Sequence, residues 1–503
     1  MSLINSDAVI GVIGAGTMGA GIAQVAAKAG HPVILYDAFE GAAQRGLDGV
    51  TKGLNKLVAR GKMQQSDVDA LLSRITLTDS LEGFTPARVV IEVIVERLDI
   101  KQSVFAQLEE ICADDTILAT NTSSISVTAI GSKLKRPQNL VGMHFFNPAP
   151  IMKLVEVISG LDTDKAVADA IYDLSARWGK SPVRAKSTPG FIVNRVARPF
   201  YAEGLRVLQE GGADEATIDA IVREAGGFRM GPFELMDLIG HDVNFAVTSS
   251  VFAAFFNDQR FLPSLIQQEL VSAGHLGRKS GKGFYDYSEQ ADKPLPATAP
   301  SAAAPHHVTI EGDLGVAEPL VTLIEAAGIK VSRVKEGFGA ILLGDTTLQL
   351  TNGQMTTERS DNARNSNLIQ FDLALDYSKA TRIALAPADQ ASPDAVLKAI
   401  GLFQAIGKNV TVIDDVAGMV VMRTVAMLAN EGYDAVNQQV CSESDVDVAM
   451  KGGVNYPFGP IEWAKSVGLG TVMNVLDNLA ASYGEDRYRT SPLIRRKVAG
   501  GNT

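Results

Sequence analysis

The stretch Val9-Ile10-Gly11-Val12-Ile13-Gly14-Ala15-Gly16-Thr17-Met18-Gly19-Ala20-Gly21-Ile22-Ala23 decides the reading of the chain. A short apolar run ends in Gly14-x-Gly16-x-x-Gly19 and passes directly into small apolar residues. That order reads as strand, tight turn and helix. The next apolar run, Pro32-Val33-Ile34-Leu35-Tyr36, ends at Asp37, which lies 21 residues after Gly16. Further apolar runs at 88–94, 116–119 and 140–143 are separated by helical segments. Strands alternating with helices imply a parallel sheet with helices on its faces.

Each glycine of the turn has its own purpose. The first permits the tight turn, the second lets a pyrophosphate approach the backbone, and the third allows close helix–strand packing. A helix starting at Thr17 and Met18 offers unpaired N–H groups and a positive dipole end to the phosphates. Asp37, at the end of the second strand, can accept hydrogen bonds from a ribose diol and would repel a 2′-phosphate. The expectation is a Rossmann-type domain that binds NAD rather than NADP.

The 503 residues are enough for three or more domains at roughly 100–200 residues each. Hydrophobic residues make up 46% and charged residues 20%, an ordinary globular balance. The net charge of −11 argues against a nucleic-acid binder, which would carry a basic footprint. Cys112 and Cys441, the two cysteines, lie far apart without metal-ligand spacing, so neither a zinc site nor a disulfide framework is expected. The opening residues lack a secretory pattern, and no apolar run reaches the roughly 18 residues needed to span a bilayer. A cytoplasmic protein without a membrane partner is the expectation.

From about residue 188 to 274 helical periodicity dominates. Residues 288–306, rich in Pro, Ala and Ser, read as a linker. Beyond it lies an internal repeat. A shift of 228 residues carries Gly179-Lys180 onto Gly407-Lys408, Gly190 onto Gly418, Arg195 onto Arg423 and Glu203-Gly204 onto Glu431-Gly432. It also carries Asp219 onto Asp447, Gly231-Pro232 onto Gly459-Pro460 and Gly240 onto Gly468. The expected order is therefore a Rossmann-type nucleotide domain (1–187), an all-α domain (188–287), the linker (288–306), a degenerate α/β segment (307–410) and a second all-α copy (411–503). Strand-like runs in the degenerate segment are Val308-Thr309-Ile310 and 340–343, with no glycine fingerprint.

The motifs GVIGAGTMGAGIAQVAA, IEVIVERLDIKQSVF, NTSSISVT, GMHFFNPAPIMKLVEVI, TPGFIVNRV and GPFELMDLIG closely resemble those of the L-3-hydroxyacyl-CoA dehydrogenases. Together they cover most of residues 8–290. The duplicated layout also resembles the long single-chain members of bacterial aromatic-acid breakdown, the 3-hydroxyadipyl-CoA dehydrogenases of phenylacetate degradation. The resemblance implies oxidation of a 3-hydroxyacyl-CoA with NAD by a His144–Glu156 dyad. The residue types suit that chemistry. Histidine titrates near neutrality and can take a hydroxyl proton. Glu156, inside the apolar run Leu154-Val155-Glu156-Val157-Ile158, is partly desolvated, and pairing with the ring would stabilise the imidazolium.

Ser123 and Asn194 match family positions that contact substrate and cofactor near the reacting carbon. Glu96, Lys101, Asn147 and Lys279 match cofactor-contacting positions, with surface salt bridges as the alternative for the two lysines. Lys52, Lys56 and Arg60 recur at four-residue spacing on one helix face. The family places part of its coenzyme A contact on the matching helix, so Lys56, Arg60 and Ser123 are the expected substrate-side contacts. No metal is expected. Under the 228 shift His144 falls on Asp372, Glu156 on Ala384 and Asn194 on Met422, which implies one active site per chain. Related two-domain enzymes dimerise through the helical domain, so homo-oligomerisation through these domains stays open. The rivals are a 3-hydroxybutyryl-CoA dehydrogenase, a non-CoA hydroxy-acid dehydrogenase and a crystallin-like structural protein.

Overall fold

Strand β1 (Val9–Ile13) is buried from Ile10 onward, as its Val/Ile content dictates. Around it, in a computed structural model that describes residues 4–501, an eight-stranded sheet forms. Its other strands are β2 (Val33–Tyr36), β3 (Ile75–Leu77), β4 (Ala87–Glu92), β5 (Ile117–Thr120), β6 (Leu140–Phe145), β7 (Leu154–Ser159) and β8 (Ser181–Lys186). The order is β3-β2-β1-β4-β5-β6-β7-β8, parallel except for β6 against β7. The order reverses between β1 and β4, the switch point where ligands bind at the carboxyl ends of such strands.

The second sheet comprises β9 (His307–Glu311), β10 (Lys330–Val334), β11 (Ala340–Leu343), β12 (Thr346–Leu350), β13 (Leu368–Phe371), β14 (Arg382–Pro387) and β15 (Asn409–Val412). Its order is β10-β9-β11-β12-β13-β14-β15. The 228-residue shift holds for its last strands. Leu140 maps to Leu368, Leu154 to Arg382 and Ser181 to Asn409, each the first residue of its strand. Helix Lys165–Arg177 maps likewise onto Pro393–Ala405.

The compact units do not follow the sequential boundaries. One contains the residues up to Arg195 together with Gln438–Val454, and the other contains Val196–Asn437 and the residues from Asn455 on. Helix Glu443–Val454 of the second copy thus packs on β7 and β8 of the first sheet, where the Lys186 amide donates to Val440 O at 2.9 Å. In the other unit its counterpart, helix Glu215–Glu224, packs on β14, and the Asp414 amide donates to Gly212 O at 3.0 Å. Lys186 and Asp414 are 228 residues apart, as are Gly212 and Val440. The two copies have exchanged equivalent helices.

Residues 288–306 contain no helix or strand, but they are not free. The amides of Ala297, Ala299 and Ala302 donate to Thr217 Oγ1, Val410 O and Gln404 Oε1. Among the described residues no helix is long and apolar enough to cross a membrane.

Candidate active site

The glycine turn leaves the end of β1 as its spacing requires. Gly14 sits at φ +97°, and a Cβ there would meet Val93 O at 2.4 Å. A Cβ on Gly19 would meet Gly14 O at 1.7 Å, whereas Gly16 faces open space. Helix Thr17–Lys28 follows, with no side chain capping its first turn. Asp37 accepts from the amides of Ala15 at 2.7 Å and Phe39 at 3.0 Å. Ala15, Gly16, Asp37 and Phe39 line a cavity of about 610 Å³ that also includes Thr17, Pro148 and Pro150. An open glycine face, an uncapped helix start and a fixed carboxylate fit the phosphates and ribose of a dinucleotide.

Pro148 and Pro150 tie this cavity to the segment that carries His144. Lys180 fixes that loop by donating to Ala149 O at 2.5 Å and Met152 O at 2.8 Å. His144 lies within β6, one residue short of its end, rather than beyond it. It is paired in register with Glu156 of β7. Because β6 and β7 run antiparallel, both side chains leave the same face of the sheet, and Nδ1 meets Oε2 at 2.7 Å. Glu156 is fully buried on an interior strand, which rules out a surface-facing edge position. Its other oxygen accepts from the amides of Ile192 at 3.0 Å and Val193 at 2.9 Å.

The His144 ring is 6% exposed and packs against Phe146 at 4.5 Å and Phe191 at 6.0 Å between centroids. With a proton on Nδ1 shared with Glu156, Nε2 carries the lone pair, and no protein group hydrogen-bonds it among the described residues. The arrangement is a buried imidazole, oriented by a carboxylate, with one nitrogen left to accept a proton.

Asn194, in helix Val193–Val196, donates from Nδ2 to Ser123 O at 3.4 Å. Ser123 follows β5 in a loop gathered by Glu96, whose Oε1 accepts from Thr122 Oγ1 at 2.5 Å and from the Ser123 and Ser124 amides at 3.1 and 3.2 Å. Burial pushes the Glu96 carboxyl up, but the Thr122 hydroxyl and Lys101 outweigh it and hold it below the ordinary range. Lys101 is not a surface cation. It is 1% exposed, with Nζ 2.6 Å from Glu92 and 3.2 Å from Glu96. Lys279, in the other unit, is half exposed and pairs with Asp242. Asn147 is exposed, two residues after β6.

Helix Ala42–Ala59 carries Lys52 and Lys56, and Arg60 caps its end. The two lysines line a surface cleft of about 500 Å³, and none of the three cations has a carboxylate within 4.0 Å among the described residues. Neither thiol is poised as a nucleophile: burial pushes Cys112 up to about 11 and Cys441 up to about 12.

Sequence reasoning missed several neighbours. Glu92, at the end of the apolar run of β4, could have been found by the argument used for Glu156. Thr122 and Ser124 were quoted only as neighbours of Ser123. Gly453 carries no local signal, yet a Cβ there would meet Leu154 at 2.7 Å, Val193 at 3.1 Å and Phe146 at 3.5 Å. Gly453 of the second copy therefore lies close to the ring that packs on His144, with no room for a side chain.

A glycine-turn nucleotide cavity joined to a base-bearing strand defines an NAD-linked dehydrogenase, and known proteins narrow the class. The pattern "3-hydroxyacyl-CoA dehydrogenase, NAD binding domain" matches residues 9–188. The corresponding "C-terminal domain" matches 190–287 and again 418–503. A "3-hydroxybutyryl-CoA dehydrogenase reduced Rossmann-fold domain" matches 348–416. The chain is 44% identical over 489 residues, 97% of either chain, to 3-hydroxyadipyl-CoA dehydrogenase of Escherichia coli strain K12. It is 42% identical to 3-hydroxybutyryl-CoA dehydrogenase of Clostridioides difficile, which spans 56% of this chain and 99% of that protein. A crystal structure of 3-hydroxybutyryl-CoA dehydrogenase from Escherichia coli K12 substr. MG1655 superposes with a TM-score of 0.90 at 42% identity, covering 99% of this chain and 100% of that one. The chain belongs to the 3-hydroxyacyl-CoA dehydrogenase family, and NAD is its cofactor.

Proposed function

We propose that the chain oxidises 3-hydroxyadipyl-CoA to the 3-oxoacyl thioester, with His144 as general base. The observation that carries the base assignment is the His144 ring, held through Nδ1 at 2.7 Å by a fully buried carboxylate while Nε2 is left to accept. His144 Nε2 takes the proton from the C3 hydroxyl. Glu156 keeps the ring in the right tautomer and stabilises the imidazolium, in addition to holding the Ile192–Val193 turn. Ser123 and Asn194 position the thioester and the developing carbonyl oxygen. NAD supplies the acceptor for the two electrons that leave C3. Gly14, Gly16, Thr17, Met18, Gly19 and Asp37 hold it. Glu96 and the buried Lys101 shape the loop beside it, and Asn147 and Lys279 are kept as further cofactor contacts. Lys52, Lys56 and Arg60, lacking carboxylate partners, hold the coenzyme A phosphates.

The second half is inferred to be a degenerate duplicate: an α/β segment at 307–410 and an all-α domain at 411–503, serving as scaffold. Support comes from the packing of helix 443–454 on the first sheet and of helix 215–224 on the second, which ties the two copies together within one chain. Homo-oligomerisation through the helical domains and a cytoplasmic setting complete the reading.

The adipyl assignment rests on the relative that matches nearly the whole chain. The butyryl alternative rests on the shorter relative and on the printed description of the crystal structure. The deciding experiment measures kcat/KM for 3-hydroxyadipyl-CoA and 3-hydroxybutyryl-CoA on the full chain. A preference of tenfold or more for the adipyl thioester is expected, and the reverse order would replace it with the butyryl reading.

A further inference from the structure

Arg198 opens the helix Arg198–Gln209 and is 5% exposed. Its Nη1 donates to Thr248 Oγ1 at 3.0 Å, and its guanidinium lies 4.9 Å from the Tyr201 ring centroid. Its Nε has no partner, and no carboxylate of the described residues lies within 4.0 Å. Burial pulls its pKa down from the ordinary arginine value.

The neighbouring charges are balanced without it. Arg206 pairs with Glu485 at 2.7 Å and Glu210 at 2.9 Å. Arg423 and Arg487 share the fully buried Glu203, at 3.1 and 3.3 Å. Three arginines face three glutamates, and Arg198 is the cation left over. A buried, uncompensated charge is costly and persists where something outside the fold compensates it. Arg198 lines a cavity of about 430 Å³ whose walls include Leu205, Phe261 and Leu262, and also Ser264, whose buried Oγ is likewise unpartnered. The ion-paired Arg206, Glu210, Glu485 and Arg487 also line it, so Arg198 is its one cation without a carboxylate, and an unpaired guanidinium and a spare hydroxyl beside apolar walls have the make-up of a small-ligand site.

We propose that this cavity binds a short organic carboxylate. The carboxylate pairs side-on with the Nε–Nη2 edge of Arg198 and accepts from Ser264 Oγ, while its carbon chain lies against Leu205, Phe261 and Leu262. The site is separate from the His144–Glu156 dyad and does not rest on its assignment.

The test measures the melting temperature of the full chain against sodium hexanoate, sodium adipate and inorganic phosphate at constant ionic strength, for the native protein, Arg198→Met and the exposed control Lys335→Met. A saturable rise with hexanoate or adipate is expected in the native protein and the control, with apparent affinity at least tenfold weaker in Arg198→Met. Ser264→Ala should weaken it severalfold. Without ligand, Arg198→Met should melt at or above the native temperature, because the substitution removes an unpaired buried charge. A carboxylate effect that never saturates, is equal in Arg198→Met or is exceeded by phosphate would overturn the proposal. So would an Arg198→Met protein that fails to fold or melts well below the native one, since Arg198 would then be a structural group.

Discussion

At the scale of single residues, Glu156 has two tasks that a substitution can separate. It orients His144 and it accepts two backbone amides from the Ile192–Val193 turn. Glu156→Gln keeps the shape and one acceptor oxygen but removes the charge facing the imidazolium. Turnover should fall by about 10²–10⁴-fold, the range of acid–base assistance, with NADH affinity within a few-fold of native. Steady-state kinetics with a fluorescence titration of NADH checks this; full turnover would leave Glu156 as a turn anchor only. The dyad was legible in the sequence because a glutamate in an apolar run calls for a partner, and the His144 motif supplied it. For Lys101, read as a cofactor contact with a surface salt bridge as the alternative, the buried ion pair was not legible. Nothing within its helix reveals that Glu92, nine residues earlier on a strand, comes to 2.6 Å.

At the scale of elements, the two copies solve one problem in two ways. The turn at Gly190-Phe191 has left-handed φ angles of 73° and 48°, and its counterpart Gly418-Met419 has 72° and 54°. Both turns point amides at a buried carboxylate. In the first copy the carboxylate is Glu156 on β7. In the second it is Asp372, at the position of His144, which accepts from Val420, Val421 and Met422 at 2.7–3.0 Å. In the second copy the structural carboxylate stands just past the end of β13, at the position of the base, and no histidine is there. Asp372→Ala should destabilise the unit that contains it by about 4 kcal/mol, because several buried N–H groups lose their acceptor. Chemical denaturation against the native chain measures this.

The pH dependence of the same residue has a definite sign. Burial, opposed by the backbone hydrogen bonds, pushes Asp372 up from 3.8 to about 6. A folded-state pKa above the unfolded one means that the folded state holds the proton more tightly. Raising the pH from about 4 to 6 should therefore cost the native chain stability relative to Asp372→Asn, and the difference should level off above 6. Equal slopes for the two proteins would remove the assignment.

At the scale of the whole molecule, the family's helical domain occurs twice, and one helix of each occurrence packs on a different sheet. The 228-residue spacing announced the duplication, and its glycines and Gly-Pro pairs marked the second helical copy. The exchange itself was not legible. Helices 215–224 and 443–454 carry equivalent local patterns, and which sheet each covers depends on contacts far along the chain. Composition read 288–306 as a linker, and no helix or strand forms there, but its backbone pairings were not legible either. Pro, Ala and Ser rule out a core, but they leave the backbone free to pair, as Ala299 does with Val410. A chain ending at residue 290 would lack the helix on β7 and β8 and the Gly453 contact beside Phe146. It should either form a dimer or lose most of its activity, and light scattering with an NADH assay distinguishes these; a fully active monomer would show the second half to be dispensable.

One base, His144 of the first copy, is proposed to carry the chemistry of the entire chain. NADH formation by the full-length His144→Gln protein with NAD and a saturating 3-hydroxyacyl-CoA tests it most directly. Turnover should be lowered by at least 10³-fold while NADH still binds at one equivalent per chain. Turnover within tenfold of native would place the base elsewhere and contradict it.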